Sequence, residues 1–224
     1  MMTPFLNRVE AGRLLAEALC ASLPDLTSRK DVIVLALPRG GVPLGLEVAR
    51  ALNAPLDLML VRKLGVPGHR ELAMGAIASG ARVLNQDVIR SCGISDEDLE
   101  AVAREEQLEL ERRARRYRGD KPWPELKDRC VILVDDGIAT GATMEVAARA
   151  VRQQQPTLLV LAVPVAPPSS LGRFTPLVDR IVCLMTPESF WAIGAWYRDF
   201  SQLNDEQVIT MMREAEQWAG GDCG

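Results

Sequence analysis

Five short runs of nearly continuous hydrophobicity, at residues 32–37, 56–61, 131–134, 158–163 and 181–185, are punctuated by turn residues. A strand that is apolar at successive positions must be covered on both faces, which is the condition of a parallel sheet enclosed by helices. Segments with helical character lie between the runs, at 8–21, 43–52, 95–118, 142–153 and 205–218. The alternation predicts an α/β fold with right-handed crossovers. Residues 73–84, which carry Gly75 and Gly80, read as a weaker strand pair. A chain of 224 residues fits one elaborated domain over 1–224 better than two independent ones.

Twenty-six basic against thirty acidic side chains leave a net charge of −4. That balance gives no general pull toward nucleic acid or an anionic membrane, so any phosphate site must be local and built from a few residues. No apolar run reaches the ~18–20 residues of a membrane span. The N-terminus meets Arg8, Glu10 and Arg13 before a continuous apolar stretch develops, unlike a secretory signal. A cytoplasmic protein with neither membrane nor nucleic-acid partner is expected. Cys20, Cys92, Cys130, Cys183 and Cys223 form no CxxC pair and read as reduced thiols in core or surface positions.

The 95–118 segment is the most charged. Ser95 with Asp96, Glu97 and Asp98 offers a cap and an acidic first turn, and Arg112, Arg113, Arg115, Arg116 and Arg118 crowd the far end, complementing the helix dipole. Leu99, Val102, Ala103, Leu110, Ala114 and Tyr117 give an apolar stripe. Its glutamates argue against a nucleic-acid surface. It reads as a solvated helical insertion packed on the domain, with an oligomer contact, as in a homodimer, the alternative.

One stretch outweighs the rest. After the apolar run 131–134 come Asp135-Asp136-Gly137-Ile138-Ala139-Thr140-Gly141-Ala142-Thr143, and a helix follows at once. Strand ends of this kind face the ligand crevice of an open α/β sheet. The loop amides and the new helix N-terminus form an anion cradle, to which Thr140 and Thr143 add hydroxyls, while Gly141 allows close backbone approach. Asp135 and Asp136, on opposite sides of the strand end, can address two sides of one polyhydroxylated ligand or a hydrated Mg2+. Taken alone, Asp-Asp-Gly also suits a plain turn. No Gly-Lys-Ser/Thr follows, which excludes a Walker loop, and dinucleotide GxGxxG spacing is absent.

Four apolar residues, two acidic ones and Gly-Ile-Ala-Thr-Gly resemble the phosphoribosyl pyrophosphate (PRPP) motif of type I phosphoribosyltransferases. The resemblance implies a five-stranded parallel sheet flanked by helices, a flexible lid loop and a C-terminal hood, here at about 186–204. It further implies that Asp135 and Asp136 hold the ribose hydroxyls and Mg2+, and that Ala139, Thr140, Gly141, Ala142 and Thr143 hold the 5-phosphate. Ala139 stands where hypoxanthine-guanine enzymes carry a further Asp, and adenine and orotate enzymes have Ala there.

Leu37-Pro38-Arg39-Gly40-Gly41-Val42-Pro43 looks like the family's pyrophosphate loop, with Arg39 as a fixed cation and the Gly40 and Gly41 amides turned inward. The family's loop contains a non-proline cis peptide, by likeness Pro38–Arg39. Arg62, Lys63, His69 and Arg70, on a Gly- and Pro-containing segment at 61–71, resemble the lid that closes over a multivalent anion. Phe190-Trp191-Ala192-Ile193-Gly194 looks like the purine-enzyme hood, placing Trp191 over the base, although Asp199 comes one residue late for that pattern. The likeness implies Mg-dependent transfer of phosphoribosyl from PRPP to a nitrogenous base, with Arg39, Arg62, Lys63 and His69 as catalytic groups and pyrophosphate released. Two other classes fit parts of the chain: a non-catalytic PRPP- or nucleotide-binding regulatory module, and a sugar-phosphate hydrolase, against which stands the lack of a recognisable activated nucleophile.

Overall fold

The apolar runs become strands at close to the lengths their hydrophobicity sets. A computed structural model describes residues 3–79 and 81–219; Gly80 and Cys223 lie outside them. In chain order the elements are α1 (Arg8–Ser22), β1 (Val32–Ala36), α2 (Gly41–Leu52), β2 (Leu56–Leu58), β3 (Val61–Val66), β4 (His69–Ala78), β5 (Ala81–Leu84), α3 (Gln86–Ser91), α4 (Asp96–Arg118), β6 (Cys130–Val134), α5 (Ala142–Gln153), β7 (Leu158–Val165), α6 (Pro168–Leu171), β8 (Arg180–Met185) and α7 (Asp205–Ala219). Among the described residues no helix is long and apolar enough to cross a membrane.

Five strands pair in parallel in the order β2-β1-β6-β7-β8. Alternate residues of each strand enter different cores. Val32, Val34, Ile132 and Val160 join a cluster with α1, α2 and α7, whereas Ile33, Leu35, Val131 and Leu161 join one with α5 and Phe174. Each fully buried aliphatic side chain contributes roughly 1.5–3 kcal/mol, which is why unbroken hydrophobicity was needed along the strands. From β1 the chain runs outward through α2 to β2, and from β6 it runs the opposite way to β7 and β8. The strand order therefore reverses between β1 and β6. In an open parallel sheet that switch opens a crevice at the carboxyl ends of the strands.

The segment 61–71, expected to be a flexible lid loop, is instead strand. β3 and β4 form an antiparallel hairpin that β5 extends to a three-stranded sheet. Pro67-Gly68 supplies the reversal: proline presets the first central position of the turn, and Gly68 takes φ +79° at the second. The run 56–61 is correspondingly split, its first part in the parallel sheet and Val61 in the hairpin.

The α4 insertion starts as the sequence indicates, with the Ser95 side chain accepting from the Asp98 amide at 3.1 Å. Its far end is less solvated than expected. Arg118 is 3% exposed and makes a bidentate pair with Asp57 of β2, at 2.6 and 2.7 Å. It also donates to the Lys121 and Pro122 carbonyls and lies 4.0 Å over the Trp123 ring. Removing one member of such a buried pair strands the other charge. Arg118→Met should therefore lower stability by about 3–5 kcal/mol in chemical denaturation; a loss under about 1 kcal/mol would mean that the pair does not anchor α4 to the sheet.

Candidate active site

Two loops meet at the switch point, residues 37–41 after β1 and 135–141 after β6. Their strands are in register, with Ala36 opposite Val134, and the Leu37 amide continues the ladder to the Val134 carbonyl at 2.9 Å. The Pro38–Arg39 peptide bond is cis, as the likeness implies. Side chains at 40 and 41 would destroy the junction. A Cβ on Gly40 would fall on the Asp136 carboxylate, and one on Gly41 would lie 2.7 Å from the Val134 carbonyl oxygen and 2.9 Å from the Asp135 Cα. One expectation changes here: the Gly41 amide donates to the Leu37 carbonyl at 2.9 Å, since it opens α2, and is not available to a ligand. Among the described residues, the Arg39 and Gly40 amides have no protein acceptor.

The acidic doublet sits against these glycines. Asp135 Oδ1 accepts from the Asp136 amide at 2.8 Å, and Asp136 Oδ2 accepts from Arg8 Nε at 2.9 Å. Both members of the Arg8–Asp136 pair are 11% exposed. Each carboxylate thus keeps one oxygen with no protein donor among the described residues. Burial, then the neighbouring Asp136 charge, pushes the Asp135 carboxyl well above the usual carboxylate range; burial also raises Asp136, against the pull of Arg8. The doublet is fixed from the 197–200 segment as well. The Tyr197 hydroxyl donates to the Asp136 carbonyl at 2.6 Å, and burial raises its pKa. Arg8 lies 3.9 Å over the Phe200 ring, and Phe5 and Phe200 flank Tyr197 at 5.5 and 5.1 Å.

The loop that follows is polarised. Its carbonyls are held from one side: Ser170 Oγ donates to the Ala139 carbonyl at 2.6 Å and Arg173 Nη1 to that of Thr140 at 2.9 Å. Its amides are not. Among the described residues the N–H groups of Ala139, Thr140, Gly141, Ala142 and Thr143 have no protein acceptor, whereas Ile138 donates to Val165 and Glu145 to Gly141. Gly141 adopts φ +78° just before α5, the left-handed conformation that turns successive amides inward. Five free donors at a helix N-terminus make an anion cradle.

Other expected residues are not brought here. Arg62 pairs with Glu106 of α4 at 2.6 Å, Lys63 with Glu71 at 3.4 Å, and His69 is exposed at the hairpin tip. Arg62, Lys63 and Arg70 line a separate cavity of about 550 Å3 against α4. Trp191 is 92% exposed, so it projects into solvent instead of walling a base pocket. The segment 186–204, expected to be a hood, meets the site through Ile193 and Tyr197: a Cβ on Gly137 would lie 2.7 Å from the Ile193 Cγ2. Arg8, Ser170 and Arg173 carry no sequence signal, because each reaches the site from a distant part of the chain.

Arg8→Met would leave Asp136 buried and unpaired, lowering stability by about 3 kcal/mol at neutral pH. Without the cation the folded-state pKa of Asp136 rises further above the ordinary ~3.9, so the folded variant takes up a proton first as pH falls. The deficit should be full above that folded pKa and shrink as pH drops through it toward about 4. Denaturation at several pH values checks this; a deficit independent of pH would contradict the pairing.

Comparison with known proteins shows the chain's family. The family model "Phosphoribosyl transferase domain" matches residues 7–195, which takes in α1 and both loops. Proteins from two strains of Mycobacterium tuberculosis, each named "Putative phosphoribosyl transferase", are 45% identical over 217 residues, 96% of this chain. The chain spans about half the length of these relatives, 48%. A crystal structure of TT1426 from Thermus thermophilus is 43% identical and superposes with a TM-score of 0.82, covering 98% of this chain and 100% of that one. The chain belongs to the phosphoribosyl transferase domain family.

Proposed function

We propose that this chain transfers a phosphoribosyl group from PRPP to a nitrogenous base and releases pyrophosphate. The observation that carries the reading is the run of five unpartnered amides at 139–143 beside a carboxylate doublet that keeps two free oxygens. The amides suit a 5-phosphate, and the doublet suits the ribose 2- and 3-hydroxyls. Displacement at C1 builds positive charge on the ribose and negative charge on the leaving group. Fixed cations and dipoles at the departing oxygens therefore contribute most. In this reading Arg39 and the Arg39 and Gly40 amides would meet the leaving pyrophosphate. In this reading Tyr197 and Ile193 hold the hood over the loop, so that water, which competes for C1, is excluded.

A magnesium ion fits the donor set in one way. No group of three or more metal-ligating side chains occurs among the described residues, and Asp136 already carries Arg8. Mg2+ commonly binds through one or two carboxylates, waters and substrate oxygens. Asp135, assisted by Asp136, would hold it on that pattern, and its charge would stabilise the leaving pyrophosphate. The base remains defined only by class, a nitrogen nucleophile, and the location we assign is cytoplasmic.

A PRPP-binding module without transfer is the second reading. It is favoured by Arg62 being tied to Glu106 and by Trp191 standing free of the site. Pyrophosphate release from Mg-PRPP across a panel of purine and pyrimidine bases separates the two: release with one base supports transfer, and tight binding without release supports the module. Asp135→Asn/Asp136→Asn should abolish calorimetric binding of Mg-PRPP while the protein stays folded, and wild-type affinity would refute the doublet's role. If transfer is observed, Arg39→Ala should lower turnover by about 100-fold. Ser170→Ala removes one carbonyl tether and should raise the KM for PRPP by about 2–10-fold with kcat little changed; an unchanged KM would mean that the tether does not orient the cradle.

A further inference from the structure

The arginine-rich end of α4 does not behave as one solvated group. Arg118 is buried on Asp57, and Arg115 is turned toward Asp120, 3.9 Å away. Arg112, Arg113 and Arg116 share another face and converge on Arg39, which comes from the loop after β1. With Pro38, Leu60, Tyr117 and Asp205 these four arginines line a cavity of about 410 Å3, within the ~300–1,000 Å3 range of ligand clefts.

The cations on this wall outnumber their counter-charges. Asp205 is the one carboxylate lining the cavity, and it is divided between Arg116 at 3.0 Å and Arg39 at 3.6 Å while also accepting from the Tyr117 hydroxyl at 2.5 Å. Glu109, one turn back along α4, is likewise shared by Arg112 at 2.8 Å and Arg113 at 3.0 Å, and Glu206 lies 3.8 Å from Arg116. A guanidinium carries five N–H donors, so two shared carboxylates cannot satisfy all the donors of these arginines. Four like charges gathered in a concavity repel one another unless an anion joins them. Helix-dipole complementarity accounts for arginines near the end of α4, but not for Arg39 meeting them from another element.

We propose that Arg39, Arg112, Arg113 and Arg116 form a binding site for a di- or polyphosphate group, with Asp205 holding the arginines in place until the anion displaces it. The site lies beside the loop assigned to the leaving pyrophosphate, so the inference rests on that reading when the anion is the substrate's own. It stands by itself when the anion is a separate polyphosphate. Arginine forks suit phosphate oxygens in pairs, which makes a multivalent anion the fitting occupant.

Calorimetric titration of the full chain with inorganic pyrophosphate and with tripolyphosphate tests the site. Arg112→Gln/Arg113→Gln should weaken both at least tenfold and leave ribose 5-phosphate, the probe of the 139–143 cradle, unaffected. The exposed pair Arg90→Gln/Arg180→Gln removes the same charge elsewhere and should change affinity less than twofold. Asp205→Asn, which removes the internal competitor, should tighten pyrophosphate severalfold. Wild-type pyrophosphate affinity in the Arg112/Arg113 variant, an equal loss in the control pair, or no gain in Asp205→Asn would overturn the proposal. Competition with Mg-PRPP assigns the bound anion to the substrate, and independent binding assigns it to a second ligand; both support the site. Failure of ribose 5-phosphate to bind the unmodified chain would count against the proposed function and leave this site untouched.

Discussion

The close approach of two loops at the sheet's switch point is the constraint on which the rest depends. Gly40 and Gly41 leave no room for side chains because Asp136 and the β6 backbone already occupy it. The parallel register of β1 and β6 brings the loops together, and the missing Cβ atoms let them touch. A hydrophobic sheet thereby delivers a pair of carboxylates and a run of amides to one crevice. The two apolar cores hold this crevice open without contributing any chemistry of their own.

Electrostatics then sorts the crevice into parts. Two adjacent carboxylates at a buried strand end are costly, and one cation, Arg8, makes them tolerable. Arg8 is in turn packed on Phe200 beside Tyr197, so the charge balance of the doublet and the position of the 197–200 segment are one arrangement. Next to it the loop is polarised the other way. Ser170 and Arg173 hold carbonyls back, and the amides at 139–143 are left without a protein acceptor among the described residues, their orientation already set. Preset dipoles of this kind stabilise charge without having to reorganise when it arrives.

The strands, the main helices and both loops were legible because their signals are local. Unbroken hydrophobicity marks buried strands, and a strand followed by Asp-Asp and a Gly/Thr loop marks a crevice. The misreadings have physical reasons. Basic residues on a Gly/Pro segment suggested an irregular loop at 61–71, yet Pro67-Gly68 is also a turn dipeptide, and the apolar positions at 64, 66, 74 and 76 give each strand a buried face. Gly41 looked like a ligand donor because glycine and helix start coincide, but its amide closes the first turn of α2. Arg8 was invisible, since nothing near it in sequence points to a carboxylate 128 positions away. The five arginines at the far end of α4 looked equivalent, and only packing separates Arg118 from Arg112, Arg113 and Arg116.

The most direct test of the central claim is an amide-resolved NMR titration of the full chain with ribose 5-phosphate. If the cradle is real, the largest shifts fall on the amides of Ala139 through Thr143, with smaller ones at Asp135 and Asp136. Saturable binding that leaves those five amides unmoved, or no binding at millimolar ligand, would contradict the account.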